Sequence, residues 1–280
     1  MTWRLPIHSG WLMILPFLAV IAGFYIYPIA NVLWLSVVEP EPGLGNYAAL
    51  FDTESLRRII LTTIRICVVT TFFSVLFGYT IAYAMVHMDQ RKQNLMLALV
   101  LVSFWISILV RTFSWLMLLG HNGLLNNGLQ AIGVINEPIA FVRNELGVLI
   151  GMIHYMIPYA VLPLLVNMRN LDMRVMRASQ NLGATGTQTF LRVYLPMTIP
   201  GIVASTILVF ILSLGFYVTP AILGGGKVLM IAEYISVQIL ITLKWGTAAM
   251  LATLMLFGVL GMLYVMSRFM KLSAVFGGGR

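Results

Sequence analysis

Side chains that could perform chemistry are scattered along this chain. The four histidines and the single cysteine fall in different segments, so no His, Cys, Asp or Glu cluster has the spacing of a metal site. Three glycines at 224–226 and Lys227 superficially resemble a phosphate-binding loop, but Val228 occupies the position that requires Ser or Thr. The residue pattern therefore predicts neither a metal site nor a nucleotide site.

Two basic residues, Arg65 and Arg111, lie well inside long apolar stretches that contain no acid. A guanidinium inside an apolar span is energetically costly, so its presence requires a structural or functional explanation. One alternative is functional, in which the guanidinium forms a polar constriction on a solute path. The other is structural, in which it reaches the outer headgroups or bonds a carbonyl of a neighbouring helix. Both alternatives stay open. The missing acids remove the usual proton relays and sodium sites, which disfavours a stand-alone ion-coupled carrier.

Aromatic residues in the same stretches could form a cavity wall that accepts an organic cation through cation–π contacts. Ordinary packing, or anchoring at headgroup depth, is the commoner role for any one of them. The candidates are Trp105, Trp115, Tyr155, Tyr159, Phe216 and Tyr217.

The composition predicts an integral membrane protein. Of the 280 residues 60% are apolar and 9% charged, and the mean hydropathy is +0.95. A span needs roughly 20 apolar residues. Windows of that length predict an all-helical, single-domain protein (1–280) with six spans, at 11–38, 59–86, 95–119, 146–168, 198–223 and 248–267. Cys67 lies within the second span and is interpreted as a small packing residue.

The charge distribution predicts that both termini are cytoplasmic, because six spans place them on one side and basic residues mark the inner face. That face would carry two acids, Asp89 and Asp172, and ten bases: Arg4, Arg91, Lys92, Arg169, Arg174, Arg177, Arg192, Arg268, Lys271 and Arg280. The opposite face would carry seven acids: Glu39, Glu41, Asp52, Glu54, Glu137, Glu145 and Glu233. Its bases number five: Arg57, Arg58, Arg143, Lys227 and Lys244.

A polar insert between the fourth and fifth spans has near-helical apolar spacing over about 173–186. Asp172 could cap the start of this helix, and Gly183 or Gly186 could end it. A short two-faced helix that projects from the membrane could plug a groove on a soluble partner. It could equally rest on the anionic inner leaflet, held by its arginines.

The insert resembles the coupling motif of bacterial ABC importer permeases. The motif reads Glu-Ala-Ala, three residues, Gly, nine residues, Ile-x-Leu-Pro, and Ala178, Gly183, Leu195 and Pro196 fall at the matching spacing. Arg177 stands where Glu is usual. The stretches 104–115 (FWISILVRTFSW) with 122–126, and 215–225 (GFYVTPAILGG) with 230–232, are similar to the third-helix and fifth-helix signatures of the spermidine/putrescine-type permeases.

The resemblance implies a multi-pass bacterial inner-membrane permease of the type I importer kind, working by alternating access. Its partners would be a cytoplasmic ATPase dimer, a second and different permease chain, and a periplasmic substrate-binding protein. ATP and Mg²⁺ would bind to the ATPase and no cofactor to this chain. Gly183 would form the turn of the motif and Pro196 the return to the membrane. The ATPase-coupling residues would be Arg177, Ala178, Ser179, Leu182, Gly183, Ala184, Leu195 and Pro196.

The favoured solute is a polyamine or similar small amine, and an amino acid, an opine-like or a phosphonate solute is the alternative. The spans offer no carboxylate for an amine, and Arg65 and Arg111 would suit an acidic solute. From a different class, a non-transporting scaffold that docks a cytoplasmic partner also fits. The candidate solute path comprises Trp105, Ser107, Arg111, Tyr155, Tyr217, Thr219 and Glu233.

Overall fold

The computed structural model describes residues 7–269, and the side chains of residues 14–266. This part of the chain is built from helices and contains no strand, which confirms the predicted all-helical class. Five residues used above lie outside the described side chains: Arg4, His8, Arg268, Lys271 and Arg280.

The described residues form fourteen α-helices and two π-helical turns, which are joined by loops and short breaks. The first seven helices are α1 (Ile7–Ile21), α2 (Tyr27–Val38), α3 (Gly45–Asp52), α4 (Glu54–Val86), α5 (Gln90–Trp105), α6 (Ile108–Leu119) and α7 (Leu124–Ala131). The others are α8 (Glu145–Arg169), α9 (Met173–Asn181), α10 (Gly186–Thr189), α11 (Leu195–Leu214), α12 (Val218–Leu223), α13 (Ile231–Leu240) and α14 (Trp245–Phe269). The π-helical turns are Ala22–Ile26 and Phe190–Tyr194.

Six helical segments of the described residues are long and apolar enough to cross a bilayer. They are Ile14–Val38, Glu54–Val86, Ile108–Ala131, Glu145–Arg169, Gly186–Leu214 and Trp245–Met266. The third segment differs from the predicted span 95–119, since it begins at Ile108 and ends at Ala131. The second, fourth, fifth and sixth segments begin one to twelve residues before the predicted span, because helix formation continues past the apolar run. The fourth segment, for example, starts at Glu145, one residue before the predicted boundary.

The third and fifth predicted spans are interrupted, which the hydropathy pattern did not reveal. The third breaks at Ile106 and Ser107, where the backbone is extended between α5 and α6. The fifth breaks after Leu214, and α12 starts at Val218. Pro220 accounts for the second break, since its ring and missing N–H prevent a continuous helix through the preceding turn.

The described residues divide into two compact units. One comprises residues 7–57 with Tyr234–Gly258, and the other Arg58–Glu233 with residues 259–269. In the first unit the Asn46 side chain donates to the carbonyl oxygens of Glu39 (2.7 Å) and Ser36 (3.3 Å). The Ser36 hydroxyl in turn lies 2.9 Å from that of Tyr47. These bonds fold the segment after α2 back onto its end.

The second unit contains two buried apolar clusters along α4, α8 and α11. The first is rich in methionine: Ile66, Cys67, Val148, Met152, Met156, Ala160, Val209, Phe216, Leu223, Val228 and Met230. The second is Ala82, Met85, Val161, Leu164, Leu165, Met168, Met176 and Tyr194. We call the end of this bundle near Met176 the α9 end, and the end near Met230 the α13 end. Cys67 is a fully buried packing residue, as predicted.

Small residues bring the helices of this bundle into close contact. A Cβ atom added to Gly78 of α4 would lie 2.7 Å from the Cβ of Ala160 and 3.3 Å from its backbone carbon on α8. On the other side of α8, the Ser205 hydroxyl of α11 donates to the Ala160 carbonyl oxygen at 2.9 Å. The position of α8 is therefore set by close contacts on both sides.

We expect Gly78→Leu to destabilise the protein by about 1–3 kcal/mol, because the added side chain meets backbone that has no room to move. The thermal denaturation midpoint of the detergent-purified protein measures the effect. Gly128→Leu is the matched control, since a Cβ there meets nothing within 4 Å. Equal midpoints for the two variants would contradict the close α4–α8 contact.

Candidate functional site

The helix α9 and the turn after it form a well-defined projection. The Asp172 side chain caps its start by accepting from the Arg174 N–H at 2.9 Å. At its other end the Gly183 N–H donates to the Gln180 carbonyl and the Ala184 N–H to the Ser179 carbonyl. This paired pattern ends a helix in a left-handed residue, and Gly183 has a φ of +87°. The helix predicted over about 173–186 is therefore shorter, because α9 ends at Asn181 and Gly183 lies in the turn after it, while α10 begins at Gly186.

The projection has one exposed and one anchored face. Leu182, at the tip, is 89% exposed, and Arg177 and Ala178 beside it are also exposed. Met176 points the other way and is buried in the apolar cluster at the α9 end. An exposed leucine flanked by arginines is an unpartnered surface suited to a groove with an apolar floor and acidic rim.

The turn is tied to the membrane helix that follows it. Thr185 and Gln188 form a reciprocal capping box at the start of α10. The Ser179 hydroxyl lies 2.8 Å from that of Thr189, which joins α9 to α10. Ala184 is half-buried in the turn. The tip therefore has little freedom to move independently of the helical segment Gly186–Leu214.

Leu195 and Pro196 lie apart from the exposed tip, at the start of α11. The π-helical turn Phe190–Tyr194 precedes them, where Pro196 removes a backbone donor. Motif residues 177–184 thus form the projection, and Leu195 and Pro196 form its base.

An aromatic cluster that the sequence analysis missed fixes this base to α4. The Tyr83 ring packs edge-on against Phe190 and Tyr194, with ring centroids 5.6 and 5.3 Å apart. His87 lies over Tyr83 at 4.3 Å. The spacing of Phe190 and Tyr194 by four residues, which places both rings on one helix face, was the available signal.

The break between α5 and α6 holds several of the predicted solute-path residues. Trp105 is the last residue of α5 and is 89% exposed, and Ser107 immediately precedes α6. Arg111, in the first turn of α6, reaches back and donates to the carbonyl oxygen of Ser103 in α5. Its guanidinium thereby satisfies a carbonyl that the break leaves without a helical partner.

Arg111 also contacts α8. Its guanidinium carbon lies 4.8 Å from the centre of the Tyr155 ring, and its side chain is only 7% exposed. A small cavity beside it is lined by Ser103, Phe104, Arg111, Tyr155, Pro158 and Tyr159. Arg111 therefore links α5, α6 and α8, which favours the predicted interhelical role over reaching headgroups.

Aromatic rings continue from this contact towards the second break. The Tyr155 ring stacks on Tyr159 at 5.7 Å and lies 4.7 Å from Phe216. Phe216 is buried and Tyr217 is exposed, both in the break before α12. Of the aromatic residues proposed from sequence, Tyr155, Tyr159 and Phe216 thus form a packed wall between the two breaks. Trp115 packs on His154 instead, with ring centroids 5.3 Å apart, and Trp105 and Tyr217 are exposed.

The two broken segments meet through α6 and α12. The Thr112 hydroxyl of α6 lies 3.3 Å from the Thr219 hydroxyl of α12, and both residues are buried. Thr112 also donates to the Ile108 carbonyl at 2.8 Å. The structure therefore brings the segment that contains Ser107 and Arg111 into contact with two distant parts of the sequence, at Tyr155 and at Thr219.

Arg65 and Glu233 lie at the α13 end. Arg65 of α4 forms an ion pair of 2.5 Å with Glu145, the first residue of α8. Glu233 lies in the first turn of α13 and is 7% exposed. It forms no hydrogen bond or ion pair with the break residues, so it is a separate part of the predicted path.

Comparison with known proteins identifies the family to which this chain belongs. Residues 44–267 match the model for binding-protein-dependent transport system inner membrane components. The chain belongs to this family. Its membership confirms the predicted importer permease class and a multi-pass inner-membrane protein.

Two similar relatives are spermidine/putrescine transport system permease proteins PotB. The protein from Haemophilus influenzae is 31% identical over 245 residues, which cover 87% of this permease and 81% of the relative. The protein from Escherichia coli K12 is 30% identical over 223 residues, covering 79% and 81%. The fold is similar to the crystal structure of a bacterial ABC transporter that imports alginate, with a TM-score of 0.74, 19% identity, and coverage of 94% of this chain and 97% of that one.

We expect Arg111→Ala to destabilise this permease by about 2–4 kcal/mol, through loss of a charge-assisted hydrogen bond and a desolvated cation–π contact. Arg111→Lys should fall between, since an ammonium keeps the charge without the planar fork. Thermal denaturation in detergent measures both, with the exposed Lys227→Ala as control. An unchanged midpoint in Arg111→Ala would show that the residue does not link the helices.

Proposed function

We propose that this permease is one of two membrane subunits of an ATP-driven importer of a small amine, with spermidine or putrescine favoured. The observation that carries the proposal is the similarity to spermidine/putrescine permeases along most of both chains. The unrelated solute of the alginate transporter shows only that the fold accommodates different cargoes.

The pairing of Arg65 removes one of the two arginines that suited the acidic-solute alternative. The charge of Arg65 is matched by Glu145, and Arg111 is engaged by the Ser103 carbonyl and the Tyr155 ring. Arg65 is therefore not available as a simple counter-ion for a carboxylate or phosphonate. The positive charge of Arg111 has no acidic partner among the described residues, and its buried Nε atom forms no hydrogen bond. A cationic solute is consistent with both contacts.

The proposed orientation places the α9 end in the cytoplasm and the α13 end in the periplasm. Arg169, Arg174, Arg177 and Arg192 flank the projection, whereas Glu137, Glu145 and Glu233 lie on the loops and helix ends opposite. This distribution supports cytoplasmic termini, because short inner loops are enriched in Lys and Arg.

In the proposed mechanism a separate ATPase dimer binds ATP and Mg²⁺ and moves the exposed tip at Leu182. The second permease completes the translocation path, and a periplasmic binding protein delivers the amine. The capping box and the Ser179–Thr189 contact give the tip a stiff connection to the helical segment Gly186–Leu214. Arg177 would pair with an acid on the ATPase groove, in place of the glutamate contact usual for the motif.

Uptake of labelled spermidine and putrescine tests the function. Cells that carry the whole system should take up the amine, and cells lacking this chain should lose nearly all of that uptake. Labelled glutamate is a parallel probe for an acidic solute. Amine uptake that survives without the chain would support the scaffold alternative and overturn the proposal.

Replacement of Gly183 tests the coupling role. The φ of +87° is unfavourable for a β-branched residue, by roughly 1–2 kcal/mol, while the space around the Cβ position is open. Gly183→Val should therefore insert normally but hydrolyse ATP without matching uptake, measured in proteoliposomes. Gly186→Val, where φ is not positive and space is also open, is the control. Normal coupling in Gly183→Val would remove the assignment.

A further inference from the structure

Glu233 is the one acid buried among the side chains that the structure describes, and it has no partner. Its exposure is 7%, and its Oε2 atom is buried without a hydrogen bond. It also forms no ion pair with a described residue. A buried carboxylate normally needs a cation or several hydrogen-bond donors, so this one requires an explanation.

Capping its own helix does not explain Glu233. A glutamate at the third position of a helix often bonds the backbone N–H just before the helix. Here that group would be the Met230 N–H, and Glu233 forms no hydrogen bond to it. The next N–H, that of Ile231, donates to the Thr63 hydroxyl of α4 at 2.9 Å and so fixes the start of α13 to that helix. The Thr63 hydroxyl in turn donates to the Ile59 carbonyl at 2.8 Å. The Glu233 carboxylate therefore has no structural bond to its own helix start.

The position of Glu233 along the length of the bundle follows from the hydrogen bond between Ile231 and Thr63. Thr63 is two residues, about 3 Å along the helix, from Arg65. Arg65 pairs with Glu145, which begins α8 at the α13 end. Thr63, Arg65, Glu145 and Glu233 all belong to the second compact unit. In the proposed orientation Glu233 lies near the periplasmic end of the bundle, where an imported solute enters.

The charged groups on neighbouring elements leave Glu233 unmatched. Arg65 on α4 is paired with Glu145 on α8. Three further bases on α4 and the adjoining loops, Arg58, Arg143 and Lys227, are exposed and form no ion pair with Glu233. Burial raises the pKa of the Glu233 carboxyl to about 7. An ammonium group within hydrogen-bond distance would stabilise the ionised carboxylate and offset the free-energy cost of burying its charge.

We propose that Glu233 binds one ammonium group of the transported amine at the periplasmic end of the permease and thereby selects cationic solutes. The inference rests on the proposed amine import, and it adds the recognition group. One carboxylate matches one ammonium, so the remaining amines of the solute bind elsewhere along the path.

Equilibrium binding of labelled spermidine to the purified ATPase–permease complex, without the binding protein, tests the assignment. Glu233→Gln keeps the size of the side chain and removes its charge. It should raise the Kd by about tenfold, the loss expected for one charge-assisted hydrogen bond. Glu137→Gln removes an exposed charge of the same protein and should leave the Kd unchanged. Glu233→Asp should restore part of the affinity.

The pH dependence in the wild type is a second measurement that does not rely on a variant folding. Below about pH 7 the carboxyl is protonated and neutral, and above it the carboxylate is charged. The Kd for spermidine should therefore fall as the pH rises from 6 to 8, and this fall should be absent in Glu233→Gln. A flat wild-type profile would overturn the assignment, even if the variant failed to insert.

The outcomes separate the two proposals. A wild-type system that neither binds nor imports spermidine or putrescine overturns the amine function. Import by the wild type together with an unchanged Kd in Glu233→Gln overturns only the role of Glu233. Dissociation of the second permease in Glu233→Gln would show that the carboxylate pairs with that subunit, and this also overturns the role.

Discussion

The hydrocarbon of a bilayer offers no hydrogen-bond partners, so every interruption of a membrane helix must be satisfied by the protein itself. Two interruptions, at Ile106–Ser107 and after Leu214, determine the centre of this permease. The Arg111 guanidinium bonds a carbonyl left free by the first, and Thr112 meets Thr219 of the helix after the second. The broken segments are stable because they are packed on one another and on α8.

The helix α4 connects the two ends of the second unit. From Thr63 to Met85, α4 rises about 33 Å, the thickness of the hydrocarbon core. At one end it supports α13 through Thr63, and at the other it packs with Met176 beneath the exposed projection. Under the proposed function, a displacement of α9 would reach the central break through packed helices rather than through a flexible loop.

The charged side chains inside the protein differ in the partners that the protein provides for them. Arg65 pairs with a carboxylate, and Arg111 donates to a carbonyl and lies over an aromatic ring, although its Nε atom has no hydrogen-bond partner. Glu233 alone among the buried charged residues of the described part has no hydrogen-bond partner. Under the proposed function, the unpaired carboxylate stays free for a cationic solute, because a fixed internal counter-ion would compete with that solute.

Much of this architecture was predictable from sequence. Apolar runs of roughly 20 residues determine the number of spans, since their burial in lipid is insensitive to packing detail. Asp172 and Gly183 were identifiable as helix limits because capping is a local interaction. The spacing of the motif around Gly183 was sufficient to indicate the family, which the match over residues 44–267 confirms.

Other features depend on contacts between distant segments. The hydropathy around Ser107 indicates one continuous span, because hydropathy depends on the residue types and not on whether the backbone is helical or extended. The partner of Arg65 lies 80 residues away at Glu145, and the aromatic anchor of the projection joins Tyr83 to Tyr194. The sequence by itself determined the number of spans, the local caps and the family. Only the tertiary structure decided which polar groups are paired and which, like Glu233, are not, because pairing depends on distances between helices that no local pattern encodes.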